Sequence, residues 1–182
     1  MADTVRAAEG YPVDGPGRAV PVEVAAAWRR ELPGVPTGSI EIITPLWQAA
    51  KLLADERNRT LRRLGVEPAL LDLLSTLRRA GPPYTLTTRQ ITERTFVTAG
   101  AVSQRVARAE RAGLVTRSGS QASRRAVAVS LTPAGHQVIE TVVRDLLEHE
   151  ESLVAALSPT QRTGLAAALS ELVASLRRDG YR

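Results

Sequence analysis

The chain has 182 residues, no cysteine, and 24 basic against 19 acidic residues, for a formal net charge of +5. That length suits one domain with a sizeable core, and the lack of thiols excludes disulfides, thiolate metal ligands and a thiol redox switch. The basic excess suits a polyanionic partner without identifying one. Lys51 is the sole lysine and every other basic residue is Arg, a bias that a high-GC genome would also produce. No apolar segment with a cleavage site opens the chain, and no window approaches a membrane span. The cytoplasm is therefore the expected location, with no membrane partner.

In chain order, residues 1–19, with Gly10, Pro12, Gly15, Pro16 and Gly17, read as a disordered tail. Pro21 opens a helix to about Leu32, which Pro33-Gly34-Val35-Pro36 breaks. A long helix over about 39–64 carries Ile40, Ile43, Trp47, Ala50 and Leu53 along one side. Pro45 inside it predicts a kink or a later start. Gly65 ends this helix, and a leucine-rich one over 67–80 follows, closed by Gly81-Pro82-Pro83.

The next stretch carries most of the information. Thr87 caps a helix over 88–95, Phe96-Val97 make a turn, and Thr98 caps a second helix over about 99–112 that Gly113 stops. Residues 114–117 and 126–131 read as strands joined by a polar loop over 118–125 with Arg124 and Arg125 near its tip. Helix, turn, helix and hairpin make a winged helix, which lays one helix in a DNA major groove and a wing beside it. Thr132-Pro133 then caps a long helix to about Leu157 with Val138, Val142, Leu146, Leu153 and Leu157 as its apolar positions. Ser158-Pro159 caps a last helix with Leu165, Leu169, Leu172, Val173 and Leu176.

The expected fold is thus mainly α with a small β-hairpin wing: a winged helix-turn-helix over 65–132 flanked by helices over 20–64 and 133–182. A small winged helix cannot bury all the flanking apolar stripes, which predicts a homodimer through them, a monomeric helical cap being the alternative.

At about 100° per residue, Val102, Val106 and Ala109 form one stripe of the second helix of the motif. Gly100, Ser103, Gln104, Ala107, Arg108 and Arg111 cluster opposite. Small residues there permit close approach, while Gln and Arg hydrogen-bond base edges and phosphates. The expected DNA-binding set is Thr87, Arg89, Gln90, Thr98, Gly100, Ser103, Gln104, Arg108, Arg124 and Arg125. The two wing arginines suit a narrow minor groove, and a solvated turn is the plainer reading of the same residues.

These motifs resemble the MarR family of transcription regulators over about residues 22–176. The resemblance rests on Leu86-Thr87, on Gly100-Ala101-Val102-Ser103-Gln104-Arg105-Val106, on Arg-Ala-Gly-Leu-Val at 111–115, on the wing arginines and on Leu131-Thr132-Pro133-Ala134-Gly135. It implies a homodimer on a palindromic double-stranded DNA operator, usually acting as a repressor. One departure is Ser123, near where the family wing commonly has Asp before its groove-inserting Arg.

The chain is also similar to the family's urate-responsive subgroup, through an N-terminal helix carrying Trp28. That likeness implies a pocket of Trp28, Asp72, Arg105 and Arg117, walled in part by the N-terminal helices, for a small anionic effector such as urate or another planar or carboxylic acid metabolite. Asp72 stands among leucines in sequence, where a carboxylate is costly unless paired. Arg105 lies about 60° from the buried stripe of its helix. An Asp72–Arg105 pair reads as a switch, with a structural salt bridge as the plainer alternative.

An enzyme is the competing class. His136 and His149 are the two histidines, both on one outer helix, and no phosphate loop or metal-spaced cluster occurs. The expectation is no catalysis, no metal and no cofactor. A winged-helix regulator without an effector, or a winged-helix module for protein or RNA, remain as alternatives.

Overall fold

The computed structural model describes residues 20–95, 97–120 and 123–179, with the side chains of 120, 123–126 and 179 outside the description. The expected tail over 1–19 and Phe96 of the expected turn therefore lie outside the described residues. The chain divides into two compact units between Arg59 and Thr60.

In the first unit, helix α1 (Pro21–Glu31) starts at a proline whose missing N–H costs nothing in a first turn. Helix α2 (Ile40–Arg63) begins here and ends in the second unit. It runs through Pro45, so the alternative of a later start does not hold. Ala25, Thr37 and Thr44 are buried, whereas Trp28, Ile42, Trp47, Leu52 and Leu53 stay exposed.

The second unit holds helix α3 (Pro68–Arg79), strand β1 (Thr85–Thr87), helices α4 (Thr88–Thr95) and α5 (Ala99–Arg111), strands β2 (Val115–Ser120) and β3 (Ser123–Leu131), and helices α6 (Pro133–Leu153) and α7 (Pro159–Asp179). The three strands form an antiparallel sheet in the order β1-β3-β2. Leu86 and Arg117 both pair with Val129, from opposite sides of the central strand.

Leu71, Leu74 and Leu77 of α3, Ile91 of α4, Val102, Val106 and Ala109 of α5, and Ile139, Val142 and Leu146 of α6 make the core, with Val115 and Val129 from the sheet. The chain leaves α5 through Gly113, whose φ is 71°; its N–H reaches Glu110 O while the Leu114 N–H reaches Ala109 O. This paired closure satisfies two orphan carbonyls and turns the chain into the wing. Across the turn sits Gly135 of α6, where an added Cβ would lie 2.0 Å from the Leu114 carbonyl oxygen.

Three expectations need correction. β1 was expected only as the lead-in to a helix. The wing strands run to Ser120 and from Ser123, so most of the polar loop expected over 118–125 is strand. α6 stops at Leu153, four residues short of Leu157.

Candidate nucleic-acid interface

The two helices of the motif are fixed by their first turns. Thr87 Oγ1 accepts from the Gln90 N–H at 3.2 Å, while Gln90 Oε1 accepts from the Thr87 N–H at 2.8 Å. This reciprocal box satisfies two backbone donors and also commits the Gln90 side chain to α4. Thr98 Oγ1 accepts from the Ala101 N–H at 3.3 Å and opens α5. Thr87, Gln90 and Thr98 thus set where the helices begin.

On α5 the helical period separates two faces. Val102, Val106 and Ala109 are essentially fully buried, while Gly100, Ser103, Gln104 and Arg108 are exposed. An added Cβ at Gly100 would meet nothing within 4 Å. The chain's own packing therefore does not require glycine there, and the open space lies on the same face as Gln104.

Several arginines of this region carry carboxylate partners. Arg89 Nε donates to Glu93 Oε1 at 2.9 Å within α4. Arg108 pairs with Glu67, the residue that precedes α3, and both side chains stay more than 60% exposed. Arg117 of β2 donates through Nε at 2.7 Å, and through a second nitrogen, to Glu110 of α5. Those hydrogen bonds hold the Glu110 carboxyl below the usual carboxylate range and raise the Arg117 guanidinium above its ordinary value. The expected wing contacts, Arg124 and Arg125, have their backbone in β3 and their side chains outside the described residues.

Of the four residues expected to bind a ligand, the three in the second unit divide between two places. Asp72 Oδ2 accepts from Arg105 at 3.4 Å, joining α3 to α5. Asp72 is 58% exposed, so the leucines beside it in sequence do not bury it; one step of a helix turns it away from them. Arg105 is 23% exposed and lies inward of the open face. Arg117 turns instead to Glu110 and lines a cavity of about 470 Å³ with Thr88, Arg89, Ser103 and Val127. Arg105 lines a separate cleft of about 180 Å³ with Glu67, Gln104 and Arg108. Trp28 belongs to the other unit and is 46% exposed.

Two acidic residues escaped sequence reasoning. Glu110 is seven residues from Arg117, with the Gly113 turn between them, a spacing that helix or strand periodicity alone does not connect. Glu67 and Arg108 are brought together only by the tertiary fold.

His136, the first of the two histidines, packs against an aromatic ring. Its ring meets Tyr84 edge-on, with centroids 4.6 Å apart, and Arg78 lies over the other aromatic partner at 4.7 Å. Among the described residues no group of three or more His, Asp or Glu is placed to hold a metal ion, and no helix is long and apolar enough to cross a membrane.

Known proteins share this fold. The sequence model of the MarR family matches residues 64–126, which run from the end of α2 into the wing. The HTH-type transcriptional regulator PecS of Dickeya dadantii (strain 3937) is 27% identical over 150 residues, covering 82% of this chain and 90% of that protein. Sco3205, a MarR family transcriptional regulator from Streptomyces coelicolor solved in complex with DNA, has the same fold with a TM-score of 0.66 at 24% identity. That match covers 79% of this chain and 91% of the other. BpsR of Bordetella bronchiseptica, whose DNA binding is regulated by 6-hydroxynicotinic acid, has it with a TM-score of 0.63 at 22% identity, over 77% of this chain and 98% of that one. The helix-turn-helix segment over residues 64–126 thus matches the MarR family in sequence, and the chain has the fold of solved MarR family proteins.

Proposed function

We propose that the chain is a homodimeric repressor that reads a palindromic operator and is released from it by a small planar anion. The observation that carries the DNA-reading part is α5: a fully buried stripe behind, and an open face of Gly100, Ser103, Gln104 and Arg108 in front. Gln104 supplies hydrogen bonds for a base edge, Gly100 allows close backbone approach, and Arg108 supplies charge to a phosphate. Arg124 and Arg125 complete the contact from the wing, with Arg89 and the caps Thr87, Gln90 and Thr98 orienting the backbone against phosphates.

Dimerisation is supported by the apolar side chains that remain exposed on the terminal helices, Trp28, Trp47, Leu53, Leu165, Val173 and Leu176. A two-fold dimer presents two copies of α5, with half-sites about one helical turn apart. Selection from random duplex DNA tests both points: a palindrome is expected, and Gln104→Ala should relax the base preference at one position of each half-site by about 1–3 kcal/mol. Recovery of no sequence motif would overturn the reading.

The effector reading draws on Arg105 and Arg117, each beside a cleft at α5. An anion recruited by either guanidinium competes with Asp72 or Glu110 and shifts the helix that reads DNA. A panel of purines including urate, aromatic acids and tricarboxylates should contain a compound that weakens operator binding. Arg117→Ala should blunt that release; operator affinity unmoved by the whole panel would leave a repressor controlled in another way.

A further inference from the structure

We propose that Glu67 is a built-in competitor for DNA: its carboxylate occupies the Arg108 guanidinium in the free protein, so a phosphate must displace it before Arg108 contributes to binding. The inference rests on the DNA-reading role of α5 and adds a residue from outside the helix-turn-helix motif to it.

Glu67 stands at the cap position of α3, with extended backbone at φ −71° and ψ 140°, yet its side chain caps nothing. Short Ser, Thr, Asp and Asn side chains fill that position well, and Glu is not among them. Pro68 at the first helical position further reduces the number of free N–H groups to satisfy. The beginning of α3 therefore gives no local reason for a carboxylate at 67. What the carboxylate reaches is Arg108, 41 residues away on the open face of α5, one helical turn beyond Gln104.

The two α3–α5 ion pairs differ in kind. Asp72 holds Arg105, which is turned inward and three-quarters covered. Glu67 holds Arg108 where both partners remain mostly in water. An exposed pair of this kind is weak and readily exchanged, and it is screened by salt as a phosphate contact is. It adds little rigidity, but it places a fixed negative charge beside one of the positive charges that any duplex would first meet. Sequence-independent attraction to DNA is therefore reduced, and groove contacts such as those of Gln104 carry a larger share of the total.

The test uses the full-length protein, an operator obtained by selection and a scrambled duplex of the same length, with affinity measured by fluorescence anisotropy between about 50 and 200 mM salt. Glu67→Gln should tighten binding to both duplexes. It should also steepen the dependence of log Kd on log salt by about one, so its advantage shrinks roughly threefold across that range. In an Arg108→Ala background the same substitution should give no gain. Glu67→Ser supplies a better cap, so it should raise the melting temperature and tighten DNA binding together. A structural role for the Glu67–Arg108 pair predicts the opposite, lower stability with unchanged salt dependence. Unchanged affinity and slope for Glu67→Gln, or an equal gain without Arg108, would overturn the proposal while leaving the DNA-binding reading intact. If the parent binds no duplex at all, both fall together.

Discussion

The winged helix and the terminal helices have similar supplies of leucine and valine, but they use them differently. Between Leu71 and Val129 the large apolar residues converge on a closed core, with Leu73, Leu74, Leu77, Ile91 and Val106 all but inaccessible. Among the described side chains of α7 none is buried, and α1 and α2 leave Trp28, Ile42, Trp47, Leu52 and Leu53 in contact with solvent. The first region is complete within one chain. The second buries few side chains among its described residues and leaves large apolar ones exposed, which is the basis for the proposed dimer.

The sharpest way to break this contrast is to substitute on each side of it. Leu74→Ala should cost about 2–5 kcal/mol in chemical denaturation, because the surrounding helices cannot collapse into the space left. Gly135→Ala should cost about 1–3 kcal/mol, since its new methyl group meets the Leu114 backbone rather than a movable side chain. If either variant unfolds like the parent, the core has been drawn in the wrong place.

A double substitution in α7, Leu165→Glu with Leu176→Glu, should leave the winged helix folded and shift the proposed dimer towards monomer at least about tenfold, the equivalent of about 1.4 kcal/mol. Sedimentation across a concentration series reads this directly. A parent that already sediments as a monomer would remove the contrast altogether.

The smallest effect concerns the wing. Glu110 has its pKa lowered by the hydrogen bonds from Arg117, so the pair's contribution is present above the unfolded carboxyl value of about 4.3. It is lost as pH falls through the lower folded value. Thermal melts should show Glu110→Gln converging on the parent at the acidic end and falling slightly below it near neutrality. Parallel curves at every pH would show that the pair does not contribute.

What could be read from the chain beforehand follows the range of the interactions involved. Caps are local: Thr98, Thr132 and Ser158 each satisfy donors within three residues, so their positions were legible. The buried stripe of α5 was legible for the same reason, being fixed by one helical period. β1 was not, because three residues squeezed between a Pro-Pro turn and a helix cap become a strand only when β3 arrives from more than 40 positions away. The dispersal of Arg105 and Arg117 was equally hidden. Each guanidinium found a carboxylate whose proximity depends on tertiary packing or on a turn, and sequence spacing registers neither. Asp72 shows the reverse error: its neighbours along the chain are buried, but neighbours along a helix point in different directions.

The hydroxyl of Thr132 occupies an unusual mechanical position. It donates to the Gly113 carbonyl at 2.7 Å and accepts from the Gly135 N–H at 3.0 Å, while the Thr132 N–H donates to Leu114 O at 3.1 Å. One residue thereby ties the exit of α5 to the entrance of α6, with Gly135 pressed against the same carbonyl. A hydrogen bond tolerates only about half an ångström of stretch before it is lost. The start of α6 and the end of α5 are therefore linked as a stiff joint. A tilt of the long helix large enough to exceed that slack must either carry the end of α5 with it or break the joint.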